Sequence, residues 1–138
     1  MAFSQIGAGE AAVLGIKYKG TYVVRAASNI TLSGEQTVDG EALVDGDLCA
    51  VTDQTNGVEN GLYIVRTGAW DRTANLAVGS SAAGSIFQIE KGTYAEKGYL
   101  VTNDTGNDIV GTDALTFDSC ADLYCLGLFV LTRESTGR

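Results

Sequence analysis

The chain has 138 residues, 45% of them apolar, and 17 acidic against 9 basic side chains leave a net charge of −8. A chain of this length buries roughly 65–70% of its unfolded surface, enough for a core without staples. The negative charge repels phosphate backbones and anionic lipid, so neither nucleic acid nor a membrane is expected as a partner, whereas a basic protein surface is compatible.

With 18 glycines and no proline, the composition points to short strands joined by tight turns. Residues 1–17 are small and weakly patterned, yet they carry Phe3, Ile6, Val13 and Leu14. They are expected to form an extended arm that orders against a neighbour. They lack the basic start of a secretory signal and include Glu10. No apolar run reaches the ~18 residues needed to span a bilayer. Synthesis in a cytoplasm follows as an expectation.

Strand-like text begins at residue 18. Residues 22–26 read as a strand and 29–32 as a short one, with turns at Gly34 and at Asp39-Gly40. Residues 42–44 and 48–51 follow, on either side of Asp45-Gly46-Asp47. Asn56-Gly57 and Asn60-Gly61 read as turns, since Asn-Gly supplies the positive φ that tight hairpins require. Residues 62–66 and 69–72 are expected to pair as a hairpin around Thr67-Gly68, placing Tyr63 and Trp70 in the core. A loop over 74–84 precedes strands at 85–90, which contains Phe87, and at 98–102. A polar turn region over 103–111 leads to alternation at 114–117, ending on Phe117.

Residues 123–131, including Leu126, Leu128, Phe129 and Leu131, are almost continuously apolar and too short for a membrane helix. A strand buried in this domain or against a second subunit is expected there. The expected architecture is all-β: a compact antiparallel sandwich or barrel of about eight short strands with an extended N-terminal arm. Its parts are the arm (1–17), a β-domain (18–118), and a C-terminal apolar strand with its tail (119–138).

The chain contains no histidine, which removes Ser-His-Asp and Cys-His catalysis and most catalytic zinc sites. Cys49, Cys120 and Cys125 do not have the paired spacing of a zinc site and are expected to be reduced, buried thiols. Gly7-Ala8-Gly9 lacks the third glycine and the flanking strand and helix of a dinucleotide loop. Carboxylate pairs about 5–9 Å apart would suit glycoside hydrolysis, but 17 acidic residues produce such pairs by chance. Asp45-Gly46-Asp47 and residues 104–108 cluster oxygen ligands without EF-hand spacing, and turn chemistry accounts for both. Trp70 and the 6 tyrosines could form a sugar platform, with Tyr94 a second focus, although core packing explains most aromatics. No catalytic residue, metal or cofactor is expected.

An ordered series of segments does carry a resemblance. It runs Val24-Arg25-Ala26-Ala27, Asn29-Ile30-Thr31-Leu32-Ser33-Gly34, Gln36-Thr37-Val38-Asp39-Gly40, Leu43-Val44 and Gly46-Asp47. It continues with Asp53-Gln54-Thr55, Glu59-Asn60-Gly61-Leu62-Tyr63-Ile64-Val65 and Gly68-Ala69-Trp70-Asp71-Arg72, then Glu90-Lys91-Gly92-Thr93 and Gly111-Thr112 through Leu115 and Phe117. Together these resemble a β-domain of bacteriophage tail fibres and other phage virion proteins, over about residues 22–118. The chain departs from that pattern at Cys49, where an aliphatic residue is usual, and at Tyr99, where Trp is common. It also lacks the usual acidic-aromatic piece after Arg72.

The resemblance implies a non-enzymatic virion structural protein made in the bacterial host. A fibre needs length from coiled coil or β-helix, so a free-standing domain fits a capsid decoration (cement) protein better. A tail, tail-fibre or head–tail accessory role is the alternative, and a glycan- or receptor-binding module a third. A decoration protein implies a homo-oligomer, expected to be a trimer, on the major capsid protein. Its contacts would come from Phe3, Ile6, Val13, Leu14, Leu126, Leu128, Phe129 and Leu131.

Overall fold

The run from Lys17 to Ala26 belongs to two sheets at once, and this organises the domain. The computed structural model describes residues 17–120. Strand β1 (Lys17–Tyr22) joins β8 (Ser85–Ile89), β9 (Gly98–Val101) and β10 (Phe117–Cys120) in one sheet, in the order β1-β8-β9-β10. Strand β2 (Val24–Ala26) joins β5 (Leu48–Val51), β6 (Gly61–Ile64) and β7 (Asp71–Arg72) in a second, in the order β2-β5-β6-β7. A two-stranded ribbon pairs β3 (Thr37–Val38) with β4 (Glu41–Ala42).

The chain changes sheet at Val23. Its N–H donates to Leu48 O at 2.8 Å in the second sheet, while Tyr22 O and Val23 O accept from Glu90 and Lys91 at 2.8 Å. A strand that switches sheets in this way closes one corner of a sandwich. The architecture is therefore an all-β sandwich with open sheets. It is not wholly antiparallel: β1 runs parallel to β8, and β2 parallel to β5. Both exceptions come from the single switching run. The other pairings among the named strands are antiparallel.

The second sheet is buried on both faces. Ala50 and Leu62 turn toward the first sheet and pack with Tyr22, Phe87, Ile89 and Val101. Val24, Ala26, Cys49, Val51 and Tyr63 turn the other way, under Val38, Leu43 and Trp70. This explains why Leu48-Cys49-Ala50-Val51 is continuously apolar where a one-sided strand would alternate. Phe87, expected in the core, has no exposed surface, and Phe117 packs at the core's edge with its ring 5.8 Å from that of Phe87.

Three sequence expectations change. Residues 29–32 are not a strand, because a side chain pairs with that backbone instead. Gln54 Oε1 accepts from Ile30 N at 2.8 Å and its amide donates to Ile30 O at 2.9 Å. The alternation expected at 114–117 becomes a strand only from Phe117, since Asn103 binds Ala114 O and Thr116 N at 2.9 and 2.8 Å. Asn60-Gly61 is not a hairpin turn. Asn60 is buried and extended (φ −63°, ψ 148°); its side chain accepts from Gln54 N at 2.9 Å and donates to Leu115 O at 3.0 Å.

Gly61 is required for space. A Cβ there would stand 2.4 Å from an Arg72 Nη. That guanidinium is pinned by bonds to Asn60 O and Val58 O, both 2.9 Å, and lies 5.0 Å from the centre of the Tyr63 ring. Gly61→Ala is expected to destabilise the domain by about 1–3 kcal/mol, the cost of forcing an atom into a filled site. Urea unfolding of the two proteins measures it. An unchanged midpoint would show that Arg72 moves aside freely.

Candidate functional site

Arg25 sits on the face of β2 that turns toward the first sheet, in register with Ala50. A cation there needs partners, since burying an unpaired charge is costly. Its Nε donates to Thr52 Oγ1 at 2.8 Å, one Nη to the Tyr99 hydroxyl at 3.3 Å and the other to Asp53 Oδ1 at 3.2 Å. The guanidinium lies between two rings, 4.6 Å from the centre of Tyr94 and 4.7 Å from that of Tyr99. Those rings meet edge to face at 6.5 Å. Cation–π contact of this kind contributes about 0.5–2 kcal/mol and fixes both rings.

Tyr94 ends the 3₁₀ turn Gly92–Tyr94, and the fold anchors that turn from a distance. Asp39, at φ 50° in the turn between β3 and β4, accepts from Thr93 N at 2.8 Å and from its hydroxyl at 2.7 Å. Left-handed backbone suits Asp in a two-residue hairpin turn. The Asp39-Gly40 and Lys91-Gly92-Thr93 segments thus form one latch. The arrangement leaves a cleft of about 240 Å³ lined by Arg25, Ser28, Thr37, Asp39 and Tyr94, among others. A second cleft, about 330 Å³, shares Arg25 and Tyr94 and continues along Tyr99 and Phe117.

The other singled-out residues lie elsewhere. Trp70 is buried, packs 6.3 Å from the Tyr63 ring and donates its indole N–H to Gly34 O at 2.9 Å, so it is no sugar platform. Tyr63 and Asn60 are likewise core positions. Among the acidic clusters, Asp47 accepts from Val44 N at 2.9 Å within its own loop, and Asp108 accepts from Ala83 N at 2.7 Å in the loop before β8, so both carboxylates are taken up by backbone of the domain. Among the described residues no three Cys, Asp or Glu side chains stand together as a metal site would need. Burial pushes the Cys49 thiol up to about 12, so it stays protonated and acts as a small apolar group. Cys120 is disulfide-bonded, against the expectation of reduced thiols. Among the described residues no helix is long and apolar enough to cross a membrane. The expected interface residues Phe3, Ile6, Val13, Leu14, Leu126, Leu128, Phe129 and Leu131 lie outside the described residues.

Sequence reasoning singled out Tyr94 but missed Arg25 and Tyr99 as its partners. The one available signal was a charge flanked by apolar residues in Val24-Arg25-Ala26, which marks an inward-facing cation only once the opposite sheet is known. No family model matches the chain, and no curated protein or solved structure matches it either.

Proposed function

We propose that this chain is a non-enzymatic structural protein of a bacteriophage particle, a capsid decoration protein that assembles as a trimer on the major capsid protein. The observation that carries the reading is how the segments of the phage-domain resemblance meet in space. Asn29 and Ile30 bond to Thr55 and Gln54, Asp39 to Thr93, Asn60 to Leu115, and Trp70 to Gly34. The resembling pieces are the cross-braces of one fold, so the segments that carry the resemblance are the ones that hold this domain together.

The route of the chain adds support. It enters through β1 and leaves through β10, the two edges of one sheet. Apolar segments flank both edges in sequence, and edge strands with apolar flanks suit contact with neighbouring subunits.

Copy number on purified particles tests the reading. Quantitative mass spectrometry against the major capsid protein should find hundreds of copies, and removal of residues 1–15 should abolish binding to bare capsids. A handful of copies would assign the chain to the tail instead. Its absence from particles would end the virion reading altogether.

A further inference from the structure

We propose that the cleft beside Tyr94 binds a neutral pyranose sugar. The inference rests on the cleft alone and is independent of the virion reading. Its lining combines apolar Ala27, Ile30 and Val38 with three hydroxyl-bearing residues, Ser28, Thr37 and Tyr94. Among the described residues these hydroxyls bond to no other protein group, and those of Ser28 and Thr37 belong to exposed residues, so they are free to meet a ligand. A sugar ring presents the complementary surface: apolar C–H faces bounded by hydroxyls that both donate and accept.

The charges at the cleft argue for a neutral ligand. Arg25 and Asp39 carry opposite charges, and each is already engaged within the protein, Arg25 by Thr52, Tyr99 and Asp53 and Asp39 by both groups of Thr93. An anion would have to draw Arg25 from Asp53, and a cation would have to draw Asp39 from Thr93. The volume of about 240 Å³ suits a single ring. Tyr94 needs little ordering on binding, because Arg25 and Tyr99 already hold its ring, and such pre-organisation lowers the entropic cost of association.

The test is a titration of the ¹⁵N-labelled full chain with glucose, galactose and N-acetylglucosamine, with glycerol as the control polyol. At least one sugar should shift the amides of Ala27, Ser28, Thr37 and Tyr94, with a Kd on the order of 1 mM for so small a ligand. The Ser28→Ala and Thr37→Val changes should each weaken binding about 5-fold, the worth of one neutral hydrogen bond, without moving Tm. Tyr94→Phe, which keeps the ring on Arg25, should weaken it by a similar factor. No shift at these amides with any sugar would overturn the proposal. So would glycerol competing as well as the sugar, or a double Ser28→Ala/Thr37→Val variant that binds unchanged.

Discussion

Phe87→Ala is expected to lower the stability of the domain by about 3–5 kcal/mol, a large share of the total for a domain this size. Phe87 has no exposed surface and lies at the centre of the first sheet, on the face turned toward the second. Its ring meets Tyr22 and Phe117 edge to face and stacks on Tyr99, each at 5.8 Å between centres. These three residues belong to β1, β10 and β9, so one ring ties the middle of the sheet to both edges. Truncation loses the transfer energy of the ring and leaves a void that three fixed neighbours cannot fill. Phe87→Leu keeps most of the volume and should cost about 1.5 kcal/mol or less. Guanidinium unfolding followed by near-UV circular dichroism measures both. A loss under about 1 kcal/mol for the alanine variant would mean that the aromatic cluster repacks, contrary to its tight ring geometry.

Asp108→Asn should cost about 3 kcal/mol at neutral pH, and the difference from the parent should vanish in acid. Asp108 is a fully buried carboxylate. It accepts from the Ser81 hydroxyl, from Ala83 N at 2.7 Å and from Gly106 N at 3.0 Å, while Ala82 N donates to its carbonyl at 2.9 Å. These bonds join the loop before β8 to the loop after β9, two long segments with little regular structure of their own. In the variant an amide N–H must face the same donors, leaving buried groups unpaired at about 1–3 kcal/mol each. The Ser81 hydroxyl first, then the Ala83 and Gly106 amides, hold the Asp108 carboxyl below its ordinary value of 3.8 against the opposing effect of burial. A lowered folded-state value means the stabilisation is fully present above 3.8 and is lost as pH falls through the lower folded value. The parent's urea midpoint should therefore fall toward the variant's in strong acid. A gap that persists undiminished there would show that charge on Asp108 contributes nothing to joining these two loops.

Much of the fold could be read from local pattern. Residues 48–51, 85–90 and 98–102, expected as strands, contain β5, β8 and β9, and the strand expected at 62–66 overlaps β6 (Gly61–Ile64). Each combines β-branched or aromatic residues with a bounding glycine or polar turn, and such signals act over a few residues. The hairpin around Thr67-Gly68 was legible for the same reason: β6 pairs with β7, Tyr63 opposite Arg72. The misread places share a different cause. At Ile30 the strand partner is the side chain of Gln54, 24 residues away, and at Gly61 the constraint is the guanidinium of Arg72. An Asn-Gly pair reads as a turn in sequence because its commonest use is local; here each residue answers to a distant neighbour.

The candidate site follows the same division. By itself the amino-acid sequence determined an all-β domain, dependence on chemistry without histidine, and an acidic surface, because composition and short-range periodicity are properties of the chain before it folds. Only the tertiary structure decided that Arg25 lies between Tyr94 and Tyr99, that Asp39 anchors the turn carrying Tyr94, and that Trp70 is sealed while Tyr94 lines a cleft. Those relations join residues more than 35 positions apart. Which of them meet depends on strand order and on the switch between sheets at Val23, and both are set by how two sheets bury their faces together.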